Sequence, residues 1–95
     1  VPPPVEQISA DCRSAVYATD QLVCADATLR ALDAEMRGLW TRAALAGQVS
    51  DTDFSAQSDW FRQRSLCAFE ADHRRCALTV YSQRIAELRE KFAGP

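Results

Sequence analysis

The sequence predicts an all-α fold: a small antiparallel bundle of three long helices, preceded by a short N-terminal helical segment and stapled by two disulfides. Three observations carry this. Apolar residues step by three and four through successive segments, the signature of helices with one buried face. No segment alternates apolar and polar residues convincingly, so no strand is expected. Four cysteines stand in a chain of 95 residues, which reads as two disulfides formed in an oxidising compartment.

The elements follow in chain order. The opening "VPPP" is a short polyproline stretch that cannot join a helix. Residues 1–8 are therefore expected to be a tether, and residues 9–95 one helical domain. "SADCRSAVYATDQLVC" reads as one or two short helical turns around a bend, with Cys12 and Cys24 at its ends. The first long helix covers residues 26–47. There Leu22, Ala25, Leu29, Leu32, Met36, Leu39, Ala43 and Ala46 form an unbroken stripe. Asp26 is a suitable N-cap and Gly47 a suitable stop. Asp26–Arg30 and Asp33–Arg37 are spaced as acid-to-base pairs one turn apart.

"QVSDTDF" is the turn, with Ser50, Asp51 or Thr52 able to cap the second helix, which runs to about Ala68. A turn around Glu70 and Asp72 leads to the third helix, with Asp72 as N-cap. Leu78, Tyr81, Ile85, Leu88 and Phe92 line its inner face, and Gly94-Pro95 ends it.

Four cysteines allow three pairings. Cys12–Cys24 with Cys67–Cys76 closes the shortest loops and suits the helical layout. The first bridge would pin the N-terminal segment to the start of the first long helix; the second would clamp the second hairpin. A structural zinc site is a poor fit, because the spacings are C-x11-C and C-x8-C and the sole histidine is His73. The formal net charge of −2, with no basic run longer than Arg74-Arg75, argues against a nucleic-acid binder. No apolar run reaches the ~18 residues that a membrane span needs.

One stretch breaks the ordinary pattern. In "QSDWFRQRSLC" the polar Gln57 and Arg64 share a helical face with Trp60, Phe61 and Cys67. Asp33 sits similarly at the edge of the first stripe, between Leu29 and Trp40. If antiparallel neighbours keep level, Asp33 faces Arg64 across the first hairpin. Gln57 then faces Arg84, and Trp60 faces Tyr81, across the second. The expectation is an Asp33–Arg64 ion pair between helices, with Gln57 and Arg84 nearby and Trp60 stacked near Tyr81. Such a set fixes geometry more than it adds net stability. The competing reading, a pocket lined by Asp33, Arg64 and Gln57, lacks the second carboxylate or histidine that acid–base catalysis wants in reach. No serine has a histidine–acid set, and there is no glycine-rich phosphate loop. No catalytic residue, metal or cofactor is expected.

These residues resemble the LprI-like lysozyme inhibitor family of small bacterial envelope proteins. The likeness runs from about Asp11 to Phe92. It rests on Cys12, Asp20, Val23-Cys24, Asp26 and Leu32-Asp33, then on Gln57, Trp60, Arg64, Cys67 and Cys76, then on Tyr81, Arg84, Ile85 and Leu88. Two departures are mild: Asp20 stands where the family usually has Glu, and Trp40 where another aromatic, commonly Tyr, is usual. The resemblance implies a secreted or periplasmic, disulfide-bonded helical domain. The family includes a lipoprotein that inhibits lysozyme.

The function expected is thus non-enzymatic: a secreted or periplasmic protein-binding domain whose partner is a lysozyme, anchored through residues upstream of Val1 if anchored at all. The alternative is a structural or sensory module of a larger envelope protein. Lysozymes are mostly cationic, so acidic residues on a protruding loop would suit an inhibitor. Asp51 and Asp53, in the loop spanning 48–53, are the binding candidates; the plainer reading is that they cap a helix.

Overall fold

The computed structural model describes residues 10, 12–13 and 18–92, so the expected tether at 1–8 and the stop at Gly94-Pro95 lie outside the described residues. Four helices follow one another: α1 (Ala18–Ala25), α2 (Ala27–Leu45), α3 (Asp51–Ser65) and α4 (His73–Phe92). A 3₁₀ turn, Leu66–Phe69, extends α3. No strand occurs among the described residues.

Local chemistry sets each boundary. Asp26 has extended backbone angles, and its carboxylate accepts from the Thr28 and Leu29 amides at 3.0 and 3.1 Å. This cap separates α1 from α2, so the apolar stripe is not one helix: Val23 is fully buried, whereas Ala25 is exposed. The expected Asp26–Arg30 pair gives way to a longer-range one. Arg74, in the first turn of α4, donates to Asp26 at 2.7 Å and holds its carboxyl below the ordinary range.

Ala46 is the C-cap of α2, and Gly47 after it adopts φ 70°. The Gly47 amide donates to Ala44 O at 3.0 Å, and the Gln48 amide to Ala43 O at 2.9 Å. This paired closure needs the left-handed backbone that glycine takes without a Cβ penalty. Ser50 and Asp53 form a reciprocal cap on α3: the Asp53 amide donates to Ser50 Oγ at 3.1 Å, and the Ser50 amide to Asp53 Oδ2 at 3.0 Å. Asp72 starts α4 by accepting from the Arg75 amide at 3.0 Å.

α2 and α4 run in the same direction. Asp26 meets Arg74 at one end, and Trp40 meets Phe92 edge-on at 6.4 Å toward the other. α3 returns antiparallel to both, and α1 packs against α2 and the α3 terminus. The core holds Val23, Leu29, Met36, Leu39, Trp40, Ala77, Tyr81, Ile85 and Leu88. Both disulfides take the local pairing, Cys12–Cys24 and Cys67–Cys76. Cys24 lies in the last turn of α1, at the end of the short segment as expected, just before the Asp26 cap of α2. Cys76 lies in the first turn of α4, so the second bridge clamps the 3₁₀ turn to it.

Candidate functional site

The polar side chains singled out by the sequence meet inside the bundle, in an arrangement that corrects one expectation. Arg64 is fully buried on α3, and its ion-pair partner is Asp20 of α1, also fully buried. The other guanidinium arm donates to the Tyr81 hydroxyl at 3.1 Å. That hydroxyl donates to Asp33 Oδ1 at 2.8 Å. Asp33 and Arg64 are therefore joined through Tyr81, not directly. The Ala10 amide also donates to Asp33 Oδ1, at 3.1 Å, and Arg37 approaches Oδ2 at 3.5 Å from the solvent side. The Arg64 guanidinium carbon lies 4.1 Å from the centre of the Phe61 ring, a favourable placement for a cation.

The physical reason for the correction is register. Met36 meets Gln57, and Trp40 meets Phe54 edge-on at 5.8 Å. In level helices these residues would have faced positions about one turn further along α3. Arg64 thus passes the level of Asp33, and α1 inserts Asp20 there. A second tie at the same place, Thr19 Oγ1 to Ser65 O at 3.2 Å, docks α1 on the end of α3. Across the other hairpin the structure brings the expected partners together. Arg84 donates to Gln57 Oε1 at 2.8 Å, and Trp60 meets Tyr81 edge-on at 5.2 Å. The Trp60 indole also donates to Val80 O at 3.4 Å.

Burial raises the Asp33 carboxyl above its ordinary 3.8, against the opposing pull of the Ala10 amide, Tyr81, Arg64 and Arg37. The folded state therefore binds its proton more tightly than the unfolded chain does. This group's stabilising contribution is full below pH 3.8 and fades as pH rises through the raised value. Asp33→Asn keeps an acceptor for Tyr81 and removes the charge. Its urea midpoint, followed from pH 4 to 7, is expected to lose the downward slope that Asp33 adds to the wild type. Parallel curves for the two proteins would contradict this.

The loop candidates fare differently. Asp51 is exposed at the first residue of α3. Asp53 is buried: its carboxylate is held by Ser50 and paired with Lys91. Lys91 and the Ser50 amide push its pKa down to about 2. It works as a cap and a tie to α4, and does not present the free acid that the loop reading needs.

The network is not fully satisfied: Asp20 Oδ2 and Arg64 Nε are buried without a hydrogen-bond partner among the described residues. Asp33 is only 3 % exposed, at the floor of an open cleft of about 490 Å³ rimmed by Arg13, Arg30 and Arg37. Burial also pushes the Tyr81 hydroxyl well above its ordinary value, so it stays protonated. His73 is exposed at the start of α4, far along that helix from Tyr81. Among the described residues no group of three His, Cys, Asp or Glu could hold a metal ion.

Sequence reasoning missed Asp20 as the partner of Arg64. The available signal was an acid one turn before Val23-Cys24 in a short apolar segment. It also missed Leu66 and Phe69, which are 60 % and 86 % exposed on the 3₁₀ turn.

Fold and site define a class: a small, disulfide-stapled helical domain whose polar seam is internal. No family model, curated protein or solved structure matches the chain. The two disulfides suit an oxidising extracellular or periplasmic setting. No helix among the described residues is long and apolar enough to cross a membrane.

Proposed function

We propose that this domain is a non-enzymatic, secreted or periplasmic protein-binding module of the bacterial envelope, and that its partner is a lysozyme. One observation carries the binding reading. Asp20, Asp33, Gln57 and Arg64 are buried inside the bundle, while four large apolar side chains, Leu45, Phe54, Leu66 and Phe69, are exposed. Rigid, exposed apolar groups are the usual anchors of a protein interface. The choice of lysozyme rests on the resemblance of the cysteine frame and inner seam to the LprI-like inhibitors. The net charge of −2 also favours encounter with a cationic partner.

The test is a cell-wall lysis assay with a panel of purified lysozymes, paired with calorimetric titration. Inhibition with a stoichiometric complex is expected. Neither inhibition nor binding at micromolar concentrations across the panel would reject the lysozyme assignment.

A further inference from the structure

We infer that the cleft between α2 and the disulfide-held residues 12 and 13 is a binding site for a small phosphate monoester, gripped by Arg30, Arg37 and Arg13. The inference goes beyond the function proposed above and does not depend on it. The site follows from helix geometry. Arg30, Asp33 and Arg37 stand at i, i+3 and i+7 on α2, so they share one face over two turns, about 10 Å. Opposite them, the Cys12–Cys24 bridge fixes Cys12 to the last turn of α1 and carries Arg13 with it. The space between these walls is the open cleft of about 490 Å³, with Ala10 and Val23 in its lining. That volume is within the range of small-molecule sites.

Charge decides what the cleft takes. Three guanidinium groups rim it and one carboxylate, Asp33, lies at its floor, in a chain whose formal net charge is −2. Asp33 offsets one of those charges at most. It is buried, and its Oδ1 is already shared by the Tyr81 hydroxyl and the Ala10 amide. Arg30 shows the imbalance most clearly. The acids one turn away on its own helix are both drawn elsewhere: Asp26 caps α2 and pairs with Arg74, and Asp33 bonds to Tyr81. The Arg30 side chain has no ion-pair or hydrogen-bond partner among the described residues, and it lines the cleft. Guanidinium forks match the oxygens of phosphate and carboxylate at fixed angles. A phosphate monoester is the better fit to three forks. It carries close to two charges and three strong acceptor oxygens, whereas a carboxylate has one charge and two. The rest of the cleft has room for the organic group of the ester, beside Ala10 and Val23.

The experiment titrates the oxidised protein with phenyl phosphate, inorganic phosphate and acetate at matched ionic strength. Calorimetry gives the affinities, and amide chemical shifts give the location. Phenyl phosphate is expected to saturate at millimolar concentration or below, more tightly than the other two, with shifts centred on residues 30–37. Arg30→Gln should weaken it about 10-fold, the scale of a lost charge-assisted hydrogen bond. This variant should melt like the wild type, since no internal partner is lost. Arg62→Gln is the control. It removes the same charge from α3, where Arg62 pairs with the exposed Asp59, and should leave the affinity unchanged. An equal loss in both variants would reduce the effect to net charge and overturn the site. So would the lack of saturable binding, or acetate or inorganic phosphate binding as tightly as phenyl phosphate. Vesicles of phosphatidylglycerol separate a lipid surface from a soluble ligand: binding to vesicles, with none to phenyl phosphate, would overturn the monoester assignment.

Discussion

Arg64→Ala is expected to lower the unfolding free energy by about 3–5 kcal/mol, the loss typical of breaking a buried ion pair from one side. The side chain is fully buried, and its removal leaves the Asp20 carboxylate in the interior without its cation. It also takes a donor from the Tyr81 hydroxyl and opens a cavity beside Phe61. A domain of this size has roughly 5–15 kcal/mol in total, so the variant should sit near the edge of stability. Its melting temperature should fall by about 12 °C or more. The test that separates charge from packing is the pair Asp20→Leu/Arg64→Met. An apolar pair of similar volume removes both desolvated charges, and the double variant should recover most of the loss. Urea unfolding of the oxidised proteins gives both values. A shift under 1 kcal/mol for Arg64→Ala would show that the pair does not hold α1 to α3.

Opening the second disulfide is expected to have the next largest effect. Cys67→Ala/Cys76→Ser should cost about 2–4 kcal/mol, chiefly because the unfolded chain regains the freedom that the cross-link removes. The sequence separation of the pair is 9. The loss should be uneven in space. Amide hydrogen exchange across 66–72 is expected to quicken more than at Met36 or Ile85, because the turn otherwise has little packing around it. Unchanged urea midpoints, or equal exchange in the turn and the core, would contradict this account.

Much of the fold was legible because it depends on local chemistry. Asp26, Ser50 and Asp72 are caps whose side chains reach amides two or three residues away, and Gly47 is a stop whose backbone angle needs glycine. The α3–α4 register was also legible. A short, disulfide-clamped connection keeps those helices level, so Gln57 finds Arg84 and Trp60 finds Tyr81. The α2–α3 register was not, since residues 46–50 let α3 settle a turn away and no local signal fixes that slide. Asp20 escaped for a related reason. The position of a short helix such as α1 is decided by tertiary docking, not by its own periodicity. Leu66 and Phe69 escaped for another reason: at about 100° per residue both already fall outside the arc of Gln57, Phe61 and Arg64, whereas the polar residues that broke the ordinary pattern pointed to the inner face.

The two kinds of cross-tie differ in how far they reach along the chain. The disulfides join residues 12 and 9 apart in sequence, whereas the Asp20–Arg64 and Asp33–Tyr81 contacts join residues 44 and 48 apart. Closing a short loop costs less entropy than closing a long one. Each cysteine's correct mate is therefore within reach of local chain motion alone. The network among Asp20, Arg64, Tyr81 and Asp33 needs all four helices in place at once. Loop closure thus favours the correct covalent isomer independently of the buried charges.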